Sequence, residues 1–128
     1  MQLATWTRRS RRARERGVAA VEFALIVPVL MSIIIGIVEF GWAYNFRTQL
    51  NSATQIAARS YAIDRDWNVA RANVTGLAPT AAVTKSTNCT AATAGSAVTV
   101  TTTVTRPTLT SLFGTNFTYE VRGVAQCS

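Results

Sequence analysis

The chain has 128 residues, with 13 Lys plus Arg against 6 Asp plus Glu and no His. Without His there is no Ser-His-Asp triad and no Cys-His couple, and two Cys with six scattered carboxylates make a poor zinc or iron–sulfur cage. No enzyme, no metal and no cofactor is expected, and the length suits a single globular part.

The charge is local. Residues 1–17 carry Arg8, Arg9, Arg11, Arg12, Arg14 and Arg16 against Glu15, whereas the remainder holds seven basic and five acidic groups. A nucleic-acid site spreads its cations over a folded face and interleaves aromatics, so a terminal tail of this kind indicates no direct nucleic-acid contact. It reads as a basic leader, residues 1–17. Arg8-Arg9 is a weak match to a twin-arginine signal, because no apolar residue other than Ala13 follows before Val18.

From Val18 to Val38 the only charge is Glu22. At ~1.5 Å rise per residue this run spans roughly 31 Å, close to the ~30 Å hydrocarbon core of a bilayer. Leu25, Ile26, Val27, Val29, Leu30, Ile33, Ile34, Ile35, Ile37 and Val38 cover every face, and Pro28 and Gly36 are tolerable in such a helix. The arginine tail on its N-terminal side orients the span by the positive-inside rule. The expectation is a single pass of the cytoplasmic membrane over 18–46, N-terminus cytoplasmic, residues 47–128 outside. A secretory signal peptide shares this layout, and Gly41-Trp42-Ala43 offers small residues where a signal peptidase reads, although the run exceeds the usual ~7–15-residue apolar region. An uncleaved membrane-anchored binding domain and a domain released near Ala43 are the two alternatives.

Glu22 is the most informative residue. A carboxylate inside a membrane segment costs about 2.5–3.5 kcal/mol on insertion scales, so it is usually paired or functional. An arginine of the tail could reach it by snorkelling. A cut after Gly17 would supply another partner, the new α-amino group of Val18, four residues before it. Glu39 stands at the other end among Phe40, Trp42, Tyr44 and Phe46. That cluster reads as an aromatic belt at headgroup level, with Glu39 solvated at the membrane interface.

Phe46, Leu50, Ala53, Ala57 and Tyr61 recur at spacings of three and four, which extends the helix over 47–63 with an apolar stripe for the chain's own C-terminal part to cover. A coiled-coil partner is the other taker. A short helix is expected over 66–76. Over 81–127, period-two alternation predicts strands at Val98, Val100 and Val104 and at Phe117, Tyr119 and Val121, joined by 109–116, with a weaker strand at 81–86. A Thr-rich stalk is the competing reading. The predicted class is α+β: a long N-terminal helix, transmembrane and then amphipathic, packed against a short helix and a small antiparallel sheet of about three strands. Cys89 and Cys127, both on the outer side, are expected to form a disulfide. Three Asn-X-Thr triplets carry no function here, being frequent by chance in a Thr-rich chain.

Glu15-Arg16-Gly17-Val18-Ala19-Ala20-Val21-Glu22-Phe23 resembles the prepilin cleavage motif of type IV-related pilins, a basic leader ending in Gly with Glu fifth in the mature chain. Residues 16–58, with Gly36-Ile37-Val38-Glu39-Phe40-Gly41 and Gln49-Leu50-Asn51-Ser52-Ala53, resemble the TadE-like minor pilins (pseudopilins) of tight-adherence (Tad/Flp) pilus systems. The resemblance implies cleavage between Gly17 and Val18 by a prepilin peptidase. Glu22 and Phe23 would then serve in assembly, with other pilin and pseudopilin subunits and a Tad inner-membrane platform as partners. The eighty or so residues beyond the membrane segment favour a pseudopilin over the filament's bulk subunit, in a pilus for adhesion or DNA uptake.

Overall fold

The computed structural model describes residues 6–112 and 114–128, with side chains from Gly17 onward. Two compact units are present, residues 1–38 and 39–128. The first holds the N-terminal part of helix α1, whose bounds are Trp6–Asp64. The helix was expected to begin at Val18. It also includes the backbone of residues 6–17 of the basic leader, because Arg, Ala and Glu are strong helix formers with nothing among them to stop the turn. From Gly17 onward α1 is long and apolar enough to cross a membrane, its most apolar window reaching a mean hydropathy of 2.6. Pro28 lies inside the helix.

In the second unit α1 ends where Arg65 takes a left-handed conformation (φ 58°) and its N–H bonds to Tyr61 O at 3.0 Å. Asp66 then caps helix α2 (Trp67–Thr75), its Oδ1 accepting from the N–H groups of Asn68 at 2.8 Å and Val69 at 3.3 Å. Such a cap satisfies donors that the first turn would otherwise leave open, which starts a nine-residue helix firmly. Three strands follow, β1 (Ala82–Lys85), β2 (Ala97–Pro107) and β3 (Asn116–Gln126), in the antiparallel order β1-β2-β3. A turn of 3-10 helix at Ala91–Thr93 lies between β1 and β2.

The stripe read from the sequence is the core. Phe46, Leu50, Ala57 and Tyr61 are buried, and the sheet supplies the covering face: Val98, Val100, Thr102 and Val104 from β2, Tyr119, Val121 and Gly123 from β3. Register makes this a single surface, since Val100 stands opposite Gly123, Thr102 opposite Val121 and Val104 opposite Tyr119. The apolar strand residues at period two therefore all face the helix, as strand geometry requires. Leu50 and Val74 sit in one cluster; Tyr61, Ala62, Ala70, Val98 and the two cysteines form another.

Two polar groups inside this core behave oppositely. The Thr54 hydroxyl donates to Leu50 O at 2.8 Å and pairs with the Thr102 hydroxyl at 3.0 Å, so both buried threonines are satisfied. Tyr119 packs its ring edge-on against Phe46, centroids 5.3 Å apart, but its hydroxyl is buried with no hydrogen-bond partner among the described residues. Burial pushes the Tyr119 phenol above its ordinary value, and the Arg106 guanidinium offsets part of that rise. Because an unsatisfied buried hydroxyl costs about 1–3 kcal/mol, Tyr119→Phe is expected to raise stability by about 1 kcal/mol. With the folded pKa raised, the tyrosine's contribution is intact below about pH 10 and is lost as pH rises through the folded value. Equilibrium unfolding of the full chain in detergent, at neutral and alkaline pH, should show the gain and the missing alkaline fall in the Phe variant.

Candidate functional site

The residues singled out for processing and assembly sit together on α1. Val18 and Glu22 are four residues apart, hence one above the other on one helix face. Val18, Val21 and Phe23 are 56%, 62% and 67% exposed, and Glu22 is exposed with no hydrogen-bond or ion-pair partner among the described residues. The tail arginines proposed as snorkelling partners have side chains outside the described residues. Among the described residues, and apart from the helix's own backbone, a Cβ at Gly17 meets no atom within 4 Å, so packing among them gives no reason for a glycine at this position.

At the other end of the run the sequence reading needs correcting. Glu39 is not solvated; it is 1% exposed. Its carboxylate accepts from the Thr110 hydroxyl at Oε2 and from the Thr110 N–H, 3.4 Å away, at Oε1. The loop between β2 and β3 is itself closed for this contact: Thr108 Oγ1 donates to Gly114 O at 2.7 Å and accepts from Ser111 N at 3.2 Å. Ser111 (φ 58°) and Gly114 (φ 117°) turn the chain over. Replacing Glu39 by Ala should loosen this loop by about 1–3 kcal/mol, the cost of leaving the Thr110 donors without their partner. Faster amide exchange at Thr110 and Ser111, with β2 and β3 unchanged, is the expected reading.

The aromatic cluster also divides. Phe40 and Tyr44 are 56% and 74% exposed, as a belt would be, and Trp42 is half-buried. Phe46 is buried in the core instead, because it lies on the stripe that meets Tyr119. Arg106 covers both Phe46 and Trp42, its guanidinium 4.4 and 5.6 Å from their ring centroids. A second cation–aromatic cluster holds Lys85, whose Nζ donates to Tyr61 Oη at 2.9 Å and lies 5.0 Å from the Trp67 ring. Cys89 and Cys127 form the expected disulfide, separated by 38 residues.

Neither cation cluster was anticipated from the sequence, nor was the role of Gly123, Thr54 and Thr102; period-two alternation marks β3 positions as inward but does not say what approaches them. No curated protein and no solved structure matches this chain. The model of the TadE-like protein family matches residues 17–59, a span that opens on Gly17 and takes in Val18, Glu22, Phe23 and Glu39. Over that third of its length, which carries the exposed face of α1 and most of its core stripe, the chain is similar to the TadE-like proteins.

Proposed function

We propose that the chain is a minor pilin (pseudopilin) of a Tad-type pilus, cut after Gly17 by a membrane-embedded prepilin peptidase and assembled through its N-terminal helix. A TadE-like segment implies a Tad pilus component, a structural role rather than an enzymatic one. The observation that carries the finer reading is the register: the family match opens on Gly17, and Glu22 is the fifth residue from Val18. The open space around Gly17 supports it. With no packing demand on that position, the absence of a side chain suits a protease that must approach the backbone closely, and glycine weakens the helix where the chain must be drawn out for cleavage.

Cleavage removes all six tail arginines, which until then act as topology anchor and recognition element. The new α-amino group lies one helical turn before Glu22, in its own chain or offered by a neighbouring subunit. In a low-dielectric bundle of helices this pair sets register, since a misaligned neighbour leaves a carboxylate buried without its partner. Before cleavage the chain is a single-pass protein of the cytoplasmic membrane with residues 47–128 outside; afterwards it joins other pilin and pseudopilin subunits on the Tad assembly platform and supports adhesion or DNA uptake at the cell surface. Phe23, beside Glu22 and 67% exposed, is the apolar contact that accompanies the pair.

The N-terminus and intact mass of the protein, taken from native membranes and from sheared surface material, test the reading. A chain beginning at Val18 is expected. One retaining Arg8 to Arg16 would make it a plain membrane anchor, and one beginning near Tyr44 a secreted domain. Glu22→Ala should leave membrane insertion intact and abolish incorporation into the pilus, scored by the amount of protein in the sheared fraction; normal incorporation would remove Glu22 from the mechanism.

A further inference from the structure

The loop between β2 and β3 carries an anomaly of composition. From Ala78 to Ser128 the chain has two leucines and no isoleucine or methionine, so the covering sheet is built from Val, Ala and aromatics. Both leucines, Leu109 and Leu112, lie in this loop, and neither enters the core: they are 54% and 61% exposed. The largest aliphatic side chains of this half are held out of the place where they would stabilise the fold most.

Their position is set by Glu39. Thr110, hydrogen-bonded to the Glu39 carboxylate through both its N–H and its hydroxyl, stands between them in sequence, so each leucine lies within two Cα steps of ~3.8 Å of that contact. Glu39 directly follows Val38, the last residue of the apolar run. The same end of the fold presents exposed Phe40 and Tyr44 and a half-buried Trp42 under Arg106, the residue types that collect at the headgroup level of a bilayer.

We propose that residues 109–112 of the β2–β3 loop are a second membrane contact, with Leu109 and Leu112 inserted into the lipid interface on the outer side and the Glu39–Thr110 hydrogen bonds holding them at that depth. The inference rests on the reading of 18–38 as membrane-spanning. It explains why a carboxylate at this position is roofed by the loop: the hydrogen bonds from Thr110 replace the water that the interface withholds. The occupant is a lipid surface because Glu39, on which the loop is held, is the residue that follows the apolar run in sequence, and because the residues after it are those that collect at a bilayer interface.

The test is site-directed spin labelling of the full chain in vesicles of phosphatidylethanolamine and phosphatidylglycerol. Cys89 and Cys127 are joined, so an added cysteine is the only one to take the label. Three variants suffice: Leu112→Cys in the loop, Thr103→Cys on β2, facing away from the helix, and Leu30→Cys in the apolar run. Collision with oxygen, which concentrates in lipid, is compared with collision with a water-soluble nickel chelate. The Leu112 label is expected to show an oxygen-to-nickel ratio several-fold above that of Thr103, approaching that of Leu30. A ratio equal to that of Thr103, with Leu30 lipid-exposed, would overturn the proposal and leave the membrane span standing. Protection of Leu112 from both reagents would also overturn it, by showing a protein contact over the loop. If Leu30 itself collides with nickel, the span and the proposal fall together.

Discussion

Gly123→Val should lower the thermal midpoint of the folded unit more than any other change on the helix-facing side of the sheet. A Cβ at this position would lie 2.6 Å from Thr54 O, 2.9 Å from Thr54 C and 3.1 Å from Gln55 Cα. All three are backbone atoms of α1, so no side-chain rotation relieves the overlap; either the helix or β3 must move. Overpacking of a close contact ordinarily costs about 1–3 kcal/mol, and here the displacement also opens the Thr54–Thr102 hydroxyl pair and the contact of Leu50 with the sheet. A loss of about 3 kcal/mol or more is expected for Val and somewhat less for Ala. With each kcal/mol worth ~4–8 °C in a unit of this size, the fall in midpoint exceeds 10 °C by a rough conversion. Far-UV circular dichroism of the full chain in detergent reads it. The control is Gly41→Ala, where a Cβ meets nothing within 4 Å and helix propensity favours the change. An unaltered midpoint for Gly123→Val would mean that α1 does not close on β3 as described.

Removal of the disulfide is the other large effect. Cys89 and Cys127 are separated by 38 residues, and closing a loop of that length contributes about 4 kcal/mol in the chain-entropy model. The bond also secures a small polar network. Gly95 N donates to Cys127 O at 2.7 Å, Cys127 N to Ser96 O at 2.9 Å, and Ser128 N to Ala62 O at 3.0 Å, so the end of the chain is stitched both to the 3-10 turn region and to α1. Tyr61 Oη accepts from Cys89 N at 3.3 Å and from Lys85 Nζ. The double variant Cys89→Ser, Cys127→Ser is expected to lose about 3–4 kcal/mol by denaturant titration. Amide exchange should show the loss first at residues 94–96 and 126–128. A variant as stable as the parent would shift the credit to this hydrogen-bond network and to the buried cluster of Tyr61, Ala62, Ala70 and Val98.

Features that depend on neighbours along the chain were legible from the residues alone. The apolar run, the stripe at Phe46, Leu50, Ala57 and Tyr61, the period-two strands and the second helix are all local patterns, and each reflects the repeat of its own secondary structure. The pattern around Gly17 and Glu22 is local in the same sense, and it lies within the segment that the family model matches. The disulfide was the long-range contact that could be read residue to residue, because two cysteines on one side of a membrane leave a single pairing.

What the sequence determined by itself is thus the order of elements, the face each one buries and the segment that resembles the TadE-like proteins, since periodicity and composition act over a few residues. Tertiary structure decided the rest. Glu39 reads as a solvated charge until Thr110, 71 residues later, is placed on it. Phe46 reads equally as belt or core until Tyr119 meets it, and Gly123 is one more small residue in a strand until the backbone of Thr54 is found against it. Each depends on which surfaces the folded chain brings together, and the free energy of such contacts belongs to pairs of residues that no local pattern links.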